Sequence, residues 1–123
     1  MTTREIADRL VSLCREGKFE IAQRQLYAPD AVNIEPYGTA EFPQETRGLD
    51  AILEKGRKLT AMIEQVHALS ISDPLVAGSS FAFAMLLDVT IKGHGRMKMD
   101  ELCIYEVKGD KVVAERFTSR LAV

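Results

Sequence analysis

The sequence predicts an α+β protein in which helices come first and a mostly antiparallel sheet follows. Up to about residue 60 the apolar residues recur at helical spacing, and from residue 63 onward they alternate with a period of two. Turn signals separate the alternating segments at Asp73-Pro74, Gly93-His94-Gly95 and Gly109-Asp110. The chain has 123 residues, 46% hydrophobic and 28% charged, which suits one domain with one core over residues 1–123.

Three helices are expected before the sheet. Thr2 and Glu5 form the pattern of a capping box, which begins the first helix at about residue 3, and Gly17 ends it. A second, shorter helix begins near Phe19 and ends before Pro29. The third helix starts near Leu49 and presents one apolar face, formed by Leu49, Ile52, Leu53 and Leu59.

The strands follow from the alternating segments and their turns. A short strand over residues 31–35 ends at Glu35, next to Pro36, and a loop of residues 36–47 follows it. Glu35 is expected to be either an exposed carboxylate at the end of the strand or an acid in a pocket. Loops of this length often serve as lids over a site. The later strands are predicted at residues 63–72, at residues 76–92 as one long strand, at residues 96–108, and at residues 111–123, where the last strand closes the sheet.

One face of the predicted strand at residues 96–108 is apolar except for a single carboxyl group. Its members are Met97, Met99, Glu101, Cys103, Tyr105 and Val107. Burying an unpaired charge on such a face costs several kcal/mol or forces the group to keep its proton. Glu101 is therefore expected either to have a cationic partner, such as Arg96, Lys98 or Arg116, or to face a pocket.

The long strand before it is apolar on both faces. One face carries Phe81, Phe83, Met85, Leu87 and Val89, and the other carries Ala82, Ala84 and Leu86, with Leu102 and Ile104 added by the next strand. Three helices can cover only one face of the sheet. We therefore expect a homodimer that buries the outer face.

Composition and motifs exclude several classes of function. The net charge is −2 and the charges are interspersed, so a nucleic-acid partner is not expected. No apolar run is long enough to span a membrane, and a charged helical pattern begins at the N-terminus, so we expect neither a membrane segment nor a signal peptide, and a cytoplasmic location. The sequence contains no dinucleotide-binding or phosphate-binding glycine motif and no cluster of metal ligands, so no cofactor and no metal are expected.

Three local patterns resemble those of the nuclear transport factor 2-like superfamily, which includes SnoaL-like proteins and ketosteroid isomerase. They are Tyr27-Ala28-x-Asp30-Ala31, Glu35-Pro36-x-Gly38 and Arg47-Gly48-x-x-Ala51-Ile52. The resemblance covers essentially the whole chain. It implies a cone, in which a curved sheet wraps around the helices and leaves a pocket at its wide end.

The resemblance also implies a chemistry for the two glutamates. In ketosteroid isomerase an aspartate before the corresponding proline is the base that moves a proton next to a carbonyl, and a protonated acid binds the oxyanion. Glu35 is similar in position to the base, and Glu101 is similar to the acid. A tyrosine of the isomerase's first helix, which also binds the oxyanion, has no counterpart here, because that turn carries Leu10 and Val11.

The remaining candidate residues would bind a ligand. Tyr37 and Phe42 belong to the loop and are expected either to cover the pocket or to pack within the loop. Asp88 interrupts an apolar strand and is expected either to line the pocket or to lie at a dimer contact. Phe83 and the methionines Met85 and Met99 are expected to line the pocket or to fill it.

Two functions therefore remain open at this point. The first is an isomerase, cyclase or dehydratase that acts on an apolar carbonyl compound, with Glu35 as general base and Glu101 as acid. The second is a non-catalytic dimeric module that binds a small ligand or serves as a scaffold. An open apolar cavity with both glutamates at its wall favours the enzyme, whereas a cone filled by Phe81, Phe83 and methionines favours the module.

Overall fold

The computed structural model describes all of residues 1–123, with helices before the sheet as predicted. The helices are α1 (Thr3–Arg15), α2 (Phe19–Leu26) and α3 (Leu49–Met62). The strands are β1 (Tyr27–Ile34), β2 (Glu45–Arg47), β3 (Ile63–Ile71), β4 (Leu75–Ala77), β5 (Ser80–Ile91), β6 (Gly95–Lys108) and β7 (Lys111–Phe117). None of the three helices has both the length and the apolar character that crossing a membrane requires.

The helices begin where the sequence places them. The capping box is present, since the Thr2 hydroxyl accepts from the Glu5 backbone and the Glu5 carboxylate accepts from the Thr2 backbone. Six residues of α1 are buried along one side against the sheet: Ile6, Ala7, Leu10, Val11, Leu13 and Cys14. This burial fixes the first helix across the inner face of the sheet.

The seven strands form one curved sheet in the order β2-β1-β7-β6-β5-β3, with β4 paired to β5. Only the β1–β7 pair is parallel, so the sheet is mostly antiparallel, as predicted. The face analysis of β6 is confirmed, because Met99, Glu101, Cys103 and Tyr105 are buried while Lys98, Asp100 and Leu102 are exposed. The helices thus cover the inner face of the sheet and leave the outer face open.

Two predicted strands need correction. The strand expected over residues 76–92 is a hairpin, because Gly78 adopts φ +59 and turns β4 back onto β5. The last strand ends at Phe117 rather than at residue 123. Beyond it, Leu121 and Val123 leave the sheet and are buried in a cluster with Phe42, Val89, Ile91 and Met99, and this burial of apolar surface stabilises the departure of the segment.

Two boundaries also differ from the prediction. The first strand begins at Tyr27, four residues earlier than expected, and ends at Ile34. The loop predicted for residues 36–47 contains the short strand β2, which pairs with β1 through Val32, Asn33 and Ile34. This pairing holds the end of β1, and with it the position of Glu35.

A β-bulge in β7 decides which of its side chains face inward. In the pairing with β6, Glu106 lies opposite Ala114 but Val107 lies opposite Val112, so one extra residue is accommodated in β7. As a result Val112 and Glu115, three residues apart, are both buried. Without the bulge they would point to opposite faces of the sheet.

Candidate functional site

A cavity of about 530 Å³ opens between the inner face of the sheet, α3 and the C-terminal segment of residues 118–123. Its apolar lining includes Ile52, Leu59, Leu69, Met85, Leu87, Met99 and Leu121. The polar side chains at its wall include Asn33, Glu35, Lys55, Glu101, Glu115 and Arg120. Both glutamates singled out in the sequence therefore lie at one cavity wall.

Glu35 is buried at the end of β1, with only 6% of its surface exposed. Its backbone N–H donates to the Gln44 carbonyl oxygen at 2.8 Å, which fixes the chain where β1 gives way to the loop. Its Oε1 lies 3.3 Å from Nζ of Lys55 on α3. Glu35 is thus a pocket carboxylate with a direct cationic partner, and not the solvated end of a strand.

Lys55 connects α3 to the sheet through two contacts. Besides Glu35, its ammonium group donates a hydrogen bond to Oδ1 of Asn33 on β1. Burial lowers the pKa of Lys55, whereas the neighbouring Glu35 charge acts in the opposite direction. Ile52 and Leu59 also line the cavity, and they lie three residues before and four residues after Lys55 on α3. The lysine therefore projects from the apolar face of this helix.

The network continues to a third buried carboxyl group, Glu115 of β7. The Asn33 amide donates to Glu115 Oε2 at 2.8 Å, and the Tyr27 hydroxyl donates to Glu115 Oε1. Burial raises the pKa of Glu115, and the two hydrogen bonds oppose that shift. The chain has no group of three or more His, Cys, Asp or Glu side chains placed to hold a metal ion.

Glu101 differs from the other two because its carboxyl group has neither an ionic partner, as Glu35 has, nor two strong hydrogen-bond donors, as Glu115 has. Its Oε2 is buried and makes no hydrogen bond, while its Oε1 lies 3.6 Å from the Cys103 thiol. None of the cations proposed from the sequence pairs with it, and Arg96 binds Asp88 instead. Burial, followed by the charge of Glu35, raises the pKa of Glu101 to about 8. Glu101 therefore keeps its proton at neutral pH.

Three of the six residues predicted to bind a ligand line the cavity, namely Phe42, Met85 and Met99. Met85 lies directly opposite Glu101 in the β5–β6 register. Met85 and Met99 therefore lie next to the carboxyl group that lacks a partner, on the inner face of the sheet.

The other three lie elsewhere. Phe83 faces inward but stacks on Tyr105, with ring centres 5.3 Å apart, beside a small cavity of about 50 Å³. Asp88 lies on the outer face, opposite Lys98, because side chains alternate along the strand and its neighbours Leu87 and Val89 face inward. There its carboxylate pairs with Arg96 at 2.9 Å. Tyr37 is 48% exposed, and its ring packs against Arg120 rather than the cavity.

Sequence reasoning missed four polar residues of this site: Asn33, Lys55, Glu115 and Arg120. A signal existed for Lys55, because it interrupts the apolar stripe between Ile52 and Leu59. Glu115 had no such signal, since only the bulge in β7 turns it inward. Arg120 lies in the part of the predicted last strand that the structure does not form, since β7 ends at Phe117.

Comparison with known proteins gives a consistent assignment. Residues 1–119 match the model of the SnoaL-like domain family. A candidate SnoaL-like polyketide cyclase from Mesorhizobium loti is 32% identical, with a TM-score of 0.87 over 95% of this chain and 98% of that one.

Two further solved structures share the fold at lower identity. A cystatin-like protein of unknown function from Xanthomonas campestris is 20% identical, with a TM-score of 0.81 over 99% of this chain and 93% of that one. IdmH, a candidate polyketide cyclase from Streptomyces antibioticus, is 21% identical, with a TM-score of 0.71 over 95% of this chain and 91% of that one. No curated protein matches the chain.

The protonated state of Glu101 predicts a dependence of stability on pH. The folded protein keeps this proton up to about pH 8, whereas the unfolded chain loses it near the ordinary value of 4.5. Between these values the folded state binds more protons, so the free energy of unfolding contributed by Glu101 falls as pH rises. Glu101→Gln removes this titration, and the variant should be more stable than wild type at pH 8 by at least about 1 kcal/mol.

Urea denaturation of wild type and Glu101→Gln from pH 5 to pH 9 measures this difference. The matched control is Glu64→Gln, because Glu64 is an exposed carboxylate on β3 that forms no ion pair. Its unfolding curve should follow that of wild type at every pH. Parallel pH dependences for wild type and Glu101→Gln would show that Glu101 is ionised in the folded protein.

Proposed function

The chain belongs to the SnoaL-like domain family, and from this premise we propose that it is an enzyme that moves a proton next to the carbonyl group of a small apolar compound. One observation carries the proposal. Two unlike carboxyl groups share the wall of one apolar cavity, Glu35 beside the ammonium group of Lys55 and Glu101 with its proton and an unpartnered oxygen. A base and an acid that coexist at one pH are what such a proton transfer requires.

In the proposed reaction, Glu35 accepts a proton from the carbon next to the carbonyl group. The electrons of that C–H bond move into a new C=C bond, and the carbonyl oxygen gains negative charge. The Glu101 O–H donates a hydrogen bond to this oxygen, and one such donor can contribute on the order of 3 kcal/mol to the transition state. Where the enolate is conjugated with a C=C bond of the substrate, return of the proton from Glu35 to the far carbon completes an isomerisation. Where the enolate carbon attacks a second carbonyl group, a C–C bond forms, the Glu35 proton passes to the new alkoxide oxygen, and a cyclisation is complete.

The remaining polar groups support this assignment of roles. Lys55, which is itself held by Asn33, pairs with the Glu35 side chain at the cavity wall, so that the position of Glu35 does not depend on solvent. The apolar lining excludes water, which strengthens the hydrogen bond from Glu101. The 32% identical relative from Mesorhizobium loti, named as a candidate polyketide cyclase, favours a substrate with a carbonyl group on an apolar skeleton.

The cavity also bears on the non-catalytic alternative. Phe81 and Phe83 stack on Tyr105 at 4.8 and 5.3 Å between ring centres, within the main core of the protein. They do not fill the cavity of about 530 Å³, which is large enough for a small organic molecule. A cone plugged by side chains would have favoured a scaffold, so an open cavity favours the enzyme.

We further infer that two copies of the chain pair through the outer face of the sheet. Leu102 and Leu75 are 51% and 79% exposed. They flank Ala82, Ala84 and Ile104 in the strand register, since Leu75 pairs with Ala82 and Leu102 pairs with Ala84. An apolar face of this kind on a small protein is typical of an interface between subunits.

The first prediction concerns the base. In D₂O, wild type should accelerate exchange of the acidic C–H protons of 2-tetralone, a small apolar ketone, above the buffer rate. Glu35→Gln keeps the shape of the side chain but cannot accept a proton, so the enzymatic rate should fall by about 10²- to 10⁴-fold. ¹H NMR follows the exchange, and Glu64→Gln serves as the control that should keep the wild-type rate.

A wild-type exchange rate for Glu35→Gln would exclude Glu35 as the base. No acceleration by wild type of 2-tetralone or of a matched 1,3-diketone would reject the proton-transfer function itself. Binding of the ketone without exchange would then favour the non-catalytic module.

The second prediction concerns the pH at which Glu101 works as an acid. Because its pKa is raised to about 8, the enzymatic exchange rate, corrected for the buffer reaction, should decline as pH increases through 8. Glu101→Gln keeps a hydrogen-bond donor that does not titrate, so its rate should be lower at pH 7 but should lack this decline. An identical decline in the variant would assign the titration to another group.

The third prediction concerns the subunit contact. Light scattering coupled to size exclusion should give a mass twice the 13.7 kDa of the chain. Leu102→Glu places a charge in the proposed interface and should give the monomer. Ile21→Glu changes an exposed apolar residue on α2, far from the outer face, and should remain dimeric. A wild-type monomer would reject the proposal.

A further inference from the structure

One cation at the cavity wall has no acidic partner. Arg120 lines the cavity from the C-terminal segment, just beyond the end of β7. The other cations at the wall are neutralised, since Lys55 pairs with Glu35 at 3.3 Å and Arg15 pairs with Asp73 at 2.8 Å. The guanidinium group of Arg120 therefore stands out as a positive charge that the protein leaves unbalanced.

The contacts of Arg120 hold it in place and leave part of it free. Nη1 donates to the Tyr37 carbonyl oxygen at 2.8 Å, and Nε donates to the Leu121 carbonyl oxygen at 3.4 Å. The guanidinium carbon also lies over the rings of Tyr37 and Phe42, at 5.6 and 5.8 Å from their centres. Its Nη2 amino group makes no hydrogen bond within the chain. The side chain is thus positioned in advance, with one donor group free for a ligand.

We propose that Arg120 binds a carboxylate group of the substrate. A guanidinium group matches the planar geometry of a carboxylate, and their charge-assisted hydrogen bonds are stronger than those between neutral groups. Its position at the wall of an apolar cavity reduces screening by water. Glu101 is protonated at neutral pH and so does not repel such a ligand. The substrate class is then an apolar carbonyl compound that carries a carboxylate, and this inference rests on the proposed function of the cavity.

The position of Arg120 also predicts how a bound ligand would lie in the cavity. Phe42 lines the cavity and lies beside Arg120, so an anchored carboxylate would place the apolar part of the ligand against that ring. Glu35 and Glu101 lie at the wall of the same cavity. Arg120 is therefore a binding residue that orients the substrate, and it takes no part in the proton transfer.

A pair of probes that differ only in charge tests the proposal. 2-Naphthoate carries a carboxylate, and 2-naphthamide is its neutral counterpart of nearly the same shape. The chain contains no tryptophan, so the fluorescence of the naphthalene ring can be followed directly. Wild type should bind 2-naphthoate about 10- to 100-fold more tightly than 2-naphthamide at pH 7.

Substitution of the arginine should remove this preference and nothing else. In Arg120→Gln the affinity for 2-naphthoate should fall to that for 2-naphthamide, while the affinity for 2-naphthamide stays within about twofold of wild type. Arg120→Lys keeps the charge but not the planar fork, and should retain part of the preference. The matched control is Arg116→Gln, because Arg116 is an exposed guanidinium on β7 with no ion pair and no contact with the cavity.

Each result has a defined meaning. Equal binding of both probes by wild type overturns the carboxylate site, and this measurement needs no variant to fold. Loss of the preference in Arg116→Gln as well as in Arg120→Gln would overturn it too, because the effect would then come from overall charge.

The two proposals can fail separately. Proton exchange of 2-tetralone without a preference for 2-naphthoate would reject the role of Arg120 and leave the proposed reaction standing. A preference for 2-naphthoate that depends on Arg120, without any exchange, would support the binding site and reject the reaction. Failure of wild type to bind either probe would overturn the carboxylate site.

Discussion

The ion pair between Lys55 and Glu35 decides the electrostatics of the whole cavity wall. Three carboxyl groups are buried there, and only one ammonium group contacts any of them. Carboxyl groups buried near one another cannot all ionise at ordinary cost, so the position of that cation decides which of them does. Of the three carboxyl groups, Glu35 is the one that contacts the ammonium group of Lys55. Burial, followed by the charge of Glu35, raises the pKa of Glu101 to about 8, and no cation opposes this shift. The two groups thus differ because Lys55 contacts Glu35, whereas Glu101 is buried without a cation.

Stability alone does not account for this arrangement. A buried ion pair offsets the cost of removing two charges from water only in part, and an apolar replacement of similar volume is often as stable or more so. The network of Tyr27, Glu115, Asn33, Lys55 and Glu35 joins β1, β7 and α3, so it does link separate parts of the fold. Apolar side chains could link the same elements. The unpartnered oxygen of Glu101 brings no stabilisation at all, and we infer that the polar wall is retained for what it does to a ligand.

The sequence predicted those features that depend on regular periodicity. Alternation along β6 identified Glu101 as the acid on an apolar face, and the capping box located the start of α1. Features that depend on a local break in the period were missed. The bulge in β7 reverses the direction of Glu115, and Gly78 turns one expected strand into a hairpin. The C-terminal segment leaves the sheet because Leu121 and Val123 are buried beside Met99. This is a tertiary effect that no local sequence pattern predicts. Arg120 lies within that segment, which is why its position at the cavity wall could be recognised only from the structure.

The charges around the cavity also bear on what it can hold. Lys55 and Glu35 cancel, Glu101 is neutral at pH 7, and Arg15 is matched by Asp73, so the guanidinium of Arg120 remains without a counter-ion. A neutral ligand that filled the cavity would remove water from this cation without supplying a compensating negative charge, which is unfavourable. An anionic ligand would supply the missing charge while its apolar part covered Phe42 and Met99. Because Lys55 pairs with Glu35 and the buried Glu101 has a raised pKa, neither glutamate serves as a counter-ion for Arg120. We infer that the proposed choice of ligand and the roles proposed for the two glutamates both rest on this uneven distribution of charge.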